Sequence, residues 1–162
     1  MPERLDPRRL VAEARDEARE LGSSRVEAEH LLLALASHPE TAAGRLLAEE
    51  RLDPKTLRKA LALDFERTLA MVGIRLEGFA LPEVRTSVAR GPSSLGHSAK
   101  LAFERALKLR AGQGRGRRPD SLDLLEGILN AEAGTVRRAL AAIEVSRDEV
   151  VVKVREARER AA

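Results

Sequence analysis

The sequence predicts an all-α protein built from two related four-helix units. Apolar residues recur at helical spacing along most of the chain, and no segment combines sustained two-residue alternation with turn signals. Two dense apolar runs, at 29–35 and 122–128, stand 93 positions apart. The helices that carry these runs are too apolar to stand alone, which is typical of helices buried between others.

The offset of 93 positions also relates residues downstream of these runs. It pairs Leu47 with Leu140, Leu52 with Val145, Asp53 with Ser146, Leu57 with Val150, and Leu61 with Val154. Upstream, an offset of 88 positions pairs Ala14 with Ala102, Ala18 with Ala106, and Leu21 with Leu109. A constant offset that holds without a gap over more than thirty positions predicts an internal duplication.

The duplication predicts the organisation of the chain. The two offsets differ by five residues, and we place this insertion in the Gly- and Arg-rich segment 110–118, where extra residues are easily tolerated. We expect a single domain over 1–162, with repeat 1 at about 5–72, a connector at 73–94 and repeat 2 at about 95–160. The two central helices should pack near a pseudo-two-fold axis.

In repeat 1, capping residues and helix breakers predict four helices. Asp6 can cap free amides and Pro7 suits the first helical position, and Asp53 with Pro54 repeats this start signal. Gly73 is a suitable end for the fourth helix. The expected helices span about 7–21, 27–37, 40–51 and 54–72.

In repeat 2, four further helices are expected. Ser146 and Glu149 have the spacing of a capping box, which starts the last helix. The expected spans are about 98–110, 121–130, 133–142 and 147–158. In the connector between the repeats, the spacing of Ile74, Leu76, Phe79 and Leu81 is compatible with a short docked turn.

The composition excludes several classes of protein. Cysteine is absent, so disulfides and thiol catalysis are excluded, which fits the cytoplasmic location that we expect. No apolar run approaches the roughly 20 residues of a membrane-spanning helix, and the N-terminal residues lack the apolar core of a signal peptide. The 29 basic and 26 acidic residues are interspersed and only three aromatic residues are present, which argues against a stacking surface for nucleic acid.

The sequence shows no catalytic or cofactor-binding constellation. The segment 91–98 has the spacing of a P-loop, but His97 stands where the lysine must be and no strand precedes it. His30, His38 and His97 lack the paired spacing of zinc ligands. We therefore expect a protein that is not an enzyme and that holds no metal or cofactor.

Three motifs of repeat 1 have related counterparts in repeat 2 at the two offsets: A-x-x-x-A-x-x-L-G, E-H-L-L-L-A-L and L-x-x-x-x-L-D-x-x-x-L. They resemble the Clp N-terminal (Clp repeat) domain, which begins the Clp/Hsp100 unfoldases ClpA, ClpB and ClpC. The resemblance is strong in 10–61 and moderate in 95–157. It implies an all-helical double repeat that binds substrates, adaptor proteins and, in some members, phosphoarginine or cyclic-peptide antibiotics. Because the sequence has no AAA+ ATPase modules, we expect a stand-alone domain.

The resemblance implies a ligand-binding role for Glu29. In family members that recognise phosphoarginine, a Glu in the T-E-H-L-L motif of each copy faces the guanidinium of the ligand. Repeat 1 keeps this residue as Glu29, with Ala28 in the place of the Thr, whereas repeat 2 has Leu122. A carboxylate suits a guanidinium because two charge-assisted hydrogen bonds form together. The alternative is that Glu29 only stabilises the N-terminus of its helix.

The resemblance also implies a site at the start of repeat 2. The cyclic-peptide pocket of the family uses a Phe near the N-terminus and another in a P-F-T-P-R-A-K segment. Here Leu95 replaces the second Phe and Lys100 is retained, and no Phe occurs near the N-terminus. The aromatic anchors of that pocket are therefore absent from this chain.

These patterns favour a monomeric, non-enzymatic binding module. The expected partners are Clp unfoldase or protease components, or their substrates and adaptors. The module would act as an adaptor for a separate Clp ATPase, or as a decoy that sequesters ligands of its N-terminal domain. The alternative is a nucleic-acid-associated regulator that uses the four arginines of segment 110–118.

Overall fold

The computed structural model describes residues 6–75, 94–114 and 118–161. These residues form eight α-helices and no strand, which confirms the all-α prediction. The helices are α1 Pro7–Glu20, α2 Ala28–Ala36, α3 Ala42–Glu49, α4 Pro54–Met71, α5 His97–Ala111, α6 Ser121–Leu129, α7 Thr135–Ala142 and α8 Arg147–Ala161. Four helices fall in each predicted repeat. The predicted turn at Leu76, Phe79 and Leu81 lies outside the described residues.

The helices begin where the capping residues predict. Asp6 Oδ1 accepts a hydrogen bond from the amide of Arg8 at 3.0 Å, and Pro7 is the first residue of α1. The Oδ1 atom of Asp53 accepts from the amide of Thr56 at 2.8 Å, and a proline again follows as the first residue of α4. Each carboxylate thus satisfies an amide that has no partner within its helix.

The duplication is also visible in the backbone. Arg51 and Glu144 stand 93 positions apart, follow α3 and α7 closely, and have the unusual φ angles of 60° and 59°. After each of them the next amide reaches back five residues along the chain. These bonds run from Leu52 N to Leu47 O at 2.7 Å and from Val145 N to Leu140 O at 3.0 Å. Both third helices therefore end in the same left-handed turn.

The core is centred on α2 and α6, which contact each other across the two repeats. The side chains of Leu31, Leu33 and Leu125 are fully buried. The repeats also exchange packing partners, because α4 packs on α7 and α8 packs on α3. Burial of each leucine stabilises the fold by about 1.5–3 kcal/mol. The two units consequently share one core.

The apolar residues at helical spacing along α1 are not all buried. Leu10, Ala14 and Ala18 are buried against α2. Leu21 follows the last residue of α1 and is 44% exposed. Among the residues that the structure describes, no helix is both long enough and apolar enough to span a membrane.

Repeat 2 contains a buried charged cluster where repeat 1 is largely apolar. Glu126 on α6 is 1% exposed and accepts a hydrogen bond from Arg155 at 2.9 Å and another from Arg158, both on α8. Burial by itself raises the pKa of Glu126, but the two guanidinium groups outweigh it and the pKa is lowered. Ninety-three positions earlier, Leu33 occupies the corresponding place.

Candidate functional site

Glu29 lies in the first turn of α2, at the junction of the two repeats. Its half-buried side chain borders a narrow cavity of about 10 Å³ between α2, α4 and α7. The other residues that line this cavity are apolar: Leu32, Leu57, Leu61, Val136, Ala139 and Leu140. A space of this size holds about one water molecule. The carboxylate of Glu29 is therefore the polar group of an apolar cleft.

The pKa of Glu29 is raised from its ordinary value. Burial is the largest cause, and the negative charges of Glu27 and Asp64 add to it. A backbone hydrogen bond and the positive charge of Arg138 act in the opposite direction. Among the described residues, no cationic side chain forms an ion pair with Glu29. This carboxylate is desolvated without a matching cation.

An ion pair between the repeats lies near Glu29. Arg138 on α7 donates to Asp64 on α4 from Nε to Oδ1 at 3.0 Å and from Nη2 to Oδ2 at 3.3 Å. Asp64 is 6% exposed, whereas the Arg138 side chain is 54% exposed. This fork geometry fixes the guanidinium plane. The charges of Asp64 and Arg138 both act on Glu29, and the guanidinium is the partly exposed member of the pair.

Asp64 and Arg138 could not be found from the sequence. They are 74 positions apart in different repeats, and each resembles an ordinary surface charge of an amphipathic helix. The duplication does not reveal the pair either. Arg45 corresponds to Arg138, but Ala157 corresponds to Asp64, so the other copy has no such ion pair. Only the packing of α4 on α7 brings the two residues together.

Leu95 and Lys100, the other two predicted site residues, lie outside the cavity that Glu29 lines. Leu95 is half-buried and pairs with Val26 in an isolated parallel bridge, in which Gly96 N donates to Val26 O at 2.7 Å. Lys100 is exposed on α5. The structure therefore places Leu95 and Lys100 at the start of α5, outside the cavity that Glu29 borders.

Glu27 connects the start of α2 to the start of α5. Its Oε2 accepts hydrogen bonds from Ser98 N at 3.1 Å and from Ser98 Oγ at 2.5 Å. The same hydroxyl accepts from Ala28 N at 2.9 Å. Gly96, the residue before α5, has no side chain that could cap the helix, and a Cβ atom there would overlap the Glu27 carboxylate. Glu27 therefore caps α5 from the other repeat.

His30 completes this junction. It is 2% exposed, and its Nδ1 accepts a hydrogen bond from the Glu27 amide at 2.8 Å. Burial lowers the pKa of His30, which favours the neutral ring that this hydrogen bond requires. Among the described residues, no three His, Asp or Glu side chains are grouped so that they could hold a metal ion.

A second, open groove of about 310 Å³ separates α1 from the C-terminal half of α2. The described residues that line it are Glu13, Asp16, Glu17, Ala34, Ser37 and His38. Nη2 of Arg58, on α4, donates hydrogen bonds to both carboxylate oxygens of Glu17, at 2.7 and 2.8 Å. The groove is acidic on its α1 side, and part of that charge is neutralised by Arg58.

A comparison with protein families identifies the fold. The family model for the Clp repeat (R) N-terminal domain matches residues 7–117, which is more than half of the chain. The match begins at the first residue of α1 and ends before α6. No curated protein matches the chain as a relative. The chain belongs to the Clp repeat N-terminal domain family, whose domains are non-catalytic protein-interaction modules of the Clp system.

Proposed function

We propose that the protein binds a peptide segment through an arginine-type cationic group at the Glu29 cleft. The observation that carries this proposal is the desolvated Glu29 carboxylate, which borders an apolar cleft without a cation of its own. A guanidinium supplies the missing charge and two hydrogen bonds in one plane. The cavity is too small to enclose such a group, so the ligand would bind at its mouth.

The neighbouring ion pair favours phosphoarginine over plain arginine. Arg138 is half exposed and adds a positive charge beside the acidic residues Glu29 and Asp64. Phosphoarginine carries a guanidinium and an anionic phosphoryl group on the same side chain. The first group would pair with Glu29, and the second would take the free edge of Arg138. An unmodified arginine uses only the acidic part of the cleft.

Binding can be measured by fluorescence polarisation with three labelled peptides that carry phosphoarginine, arginine or alanine at one position. A charged hydrogen-bonded contact contributes about 1.5–3 kcal/mol, so Glu29→Gln should weaken binding of the phosphoarginine peptide about tenfold or more. Glu49→Gln is the matched control, because Glu49 is exposed on α3. Equal affinity for all three peptides, or equal affinity of the Glu29→Gln variant, would refute the proposal.

We further propose that this binding serves a separate Clp ATPase, as an adaptor or as a decoy. The family assignment supports the connection to the Clp system. The two roles differ in sign: an adaptor raises the rate at which the ATPase degrades a phosphoarginine-marked substrate, and a decoy lowers it. A turnover assay with increasing amounts of the protein separates them. An unchanged rate at saturating protein would contradict both roles.

The nucleic-acid alternative gains no support from the structure. Arg110 begins the segment that this alternative requires, and its Nη1 lies 3.8 Å from Asp120 and 3.7 Å from Asp123. Its side chain is only 14% exposed, so this arginine is used within the fold. Residues 115–117 lie outside the described part of the chain. The monomeric state and the cytoplasmic location stay predictions.

A further inference from the structure

His38 lies in the turn between α2 and α3 and faces α1. Its Nδ1 is 2.6 Å from Glu40 Oε1, in the same turn, and its Nε2 contacts Glu13 Oε2 on α1. The ring side chain is 17% exposed. Both ring nitrogens therefore meet a carboxylate, and the two carboxylates come from different elements of the fold.

This arrangement requires a proton on each ring nitrogen. An ionised carboxylate only accepts hydrogen bonds, and a neutral imidazole has only one N–H to donate. Burial raises the pKa of Glu13, but its hydrogen bonds to His38 and Arg9 outweigh burial and lower the pKa. The pKa of Glu40, which is exposed, is lowered by a backbone hydrogen bond and by the hydrogen bond to His38. Both acids are thus ionised at neutral pH, so the imidazolium is the form that satisfies both contacts.

The backbone of His38 is held firmly. Its carbonyl oxygen accepts hydrogen bonds from Thr41 N at 2.9 Å and from Thr41 Oγ1 at 2.8 Å. Gly44 packs so closely on the same carbonyl that a Cβ atom would overlap it. Loss of a contact at the ring would therefore displace α1 before it displaces the turn.

Helix α1 is the peripheral helix of the fold. Among the described helices it packs on α2 alone, whereas its counterpart α5 packs on both α6 and α2. Besides its apolar contacts, α1 is tied to the rest of the described structure by Arg58, which pairs with Glu17 and Glu20, and by the His38–Glu13 contact. Loss of the His38 contact is therefore a large change for α1.

The charges around His38 are predominantly acidic. From α1, Asp16 and Glu17 line the same groove as Glu13, which is also bound by Arg9 at 3.0 Å. From α4, Arg58 pairs with Glu17 and Glu20, its acidic partners among the described residues. Helices α3, α5, α6 and α7 also pack on α2, and among the described residues none of them contributes a charged group that acts on the ring. The surroundings thus favour the imidazolium.

We propose that His38 is a proton-dependent clamp that holds α1 against the α2–α3 turn, and that its deprotonation loosens α1 and widens the α1–α2 groove. The pKa of His38 is raised, chiefly by the hydrogen bond to Glu13. Its contribution to the docking of α1 is therefore complete below the ordinary value of 6.5 and is lost as the pH rises through the higher value of the folded protein.

The test uses nuclear magnetic resonance and hydrogen exchange on the full chain. We expect both His38 ring nitrogens to carry protons at pH 6.5, with a titration midpoint above that pH, while exposed His97 serves as the reference ring. Loss of a charge-assisted hydrogen bond typically shifts an equilibrium about tenfold or more, so deprotonation of His38 should change the equilibrium for opening of α1 by about that factor. Protection factors of the α1 amides should fall by about that factor between pH 6 and pH 9, and those of α5 should not.

Two variants separate the clamp from a general effect of pH. Glu13→Gln should lower the His38 midpoint and remove the pH dependence of α1 protection, and His38→Gln should also remove that dependence. A wild-type His38 midpoint at or below 6.5 would overturn the proposal, even if neither variant folds. Equal pH dependence of the α1 and α5 amide protection factors in the wild type would also overturn the proposal. Because these readouts need no ligand, their failure is distinct from a failure of the proposed peptide binding.

Discussion

Substitution of Gly127 by alanine should separate α5 from α6. Gly127 lies in the middle of α6, where the helix touches the backbone of α5. A Cβ atom at this position would lie 3.2 Å from Ala106 N and 3.3 Å from Ala102 C, and it would overlap the Ala102 carbonyl oxygen. These atoms belong to a helix backbone and cannot rotate away as a side chain can. The two helices must therefore move apart.

The expected cost follows from two opposing effects. Alanine favours a helix interior over glycine by about 1 kcal/mol. Overpacking of a well-packed core costs about 1–3 kcal/mol, and a contact with rigid backbone belongs at or beyond the upper end of that range. The net loss of unfolding free energy is then about 2 kcal/mol. For a chain of 162 residues this lowers Tm by about 4–8 °C.

The measurement is thermal and urea unfolding followed by circular dichroism. Gly112→Ala is the matched control, because Gly112 follows α5 in a right-handed conformation and a Cβ atom there would make only ordinary contacts of 3.6 and 3.9 Å. That variant should be neutral or slightly more stable, by up to about 1 kcal/mol. A Gly127→Ala protein with a Tm equal to or above the wild type would refute the close approach of α5 and α6.

Three further substitutions, and Leu107→Ala as a control, test other parts of the fold. Glu27→Gln should lower the unfolding free energy in urea by about 1 kcal/mol, since it weakens the charged cap that Ser98 receives, and no loss would contradict that role. Glu126→Gln should cost about 3 kcal/mol at pH 7. Because the pKa of Glu126 is lowered in the folded protein, its contribution to the unfolding free energy is present above pH 4.5 and is lost as the pH falls through the folded value. The unfolding free energy of the Glu126→Gln variant should therefore fall less steeply with decreasing pH than that of the wild type. Leu124→Ala, at a 1% exposed position, should cost about 2–5 kcal/mol, and Leu107→Ala, at a 57% exposed position, should change stability by less than about 0.5 kcal/mol.

Helix positions and the duplication were predictable because they depend on local residues. The Asp6 and Asp53 caps, the following prolines and the apolar spacing are short-range features, and each has the expected place in the structure. The last predicted capping box is formed in one direction, with Glu149 N donating to Ser146 Oγ at 3.3 Å. The repeated offset was predictable because it requires only comparison of the chain with itself.

The candidate site was only partly predictable, because it depends on packing between the repeats. The resemblance identified Glu29, but a repeated motif does not say that α4 packs on α7 instead of its own third helix. The position of Asp64 and Arg138 beside the cleft follows from that exchange. The cap that Glu27 provides for α5 has the same origin, since its partner Ser98 is 71 positions away.

The difference between the two copies determines how many ligands the protein should bind. Glu29 corresponds to Leu122, which is 3% exposed, so a second acidic cleft is absent from the described structure. Arg45 corresponds to Arg138, but Ala157 stands where Asp64 would be needed to hold it. The duplication has thus kept the helices but not the two carboxylates, Glu29 and Asp64. Titration calorimetry with a phosphoarginine peptide should therefore give one site per chain, and a second site of similar affinity would show that binding does not depend on this carboxylate.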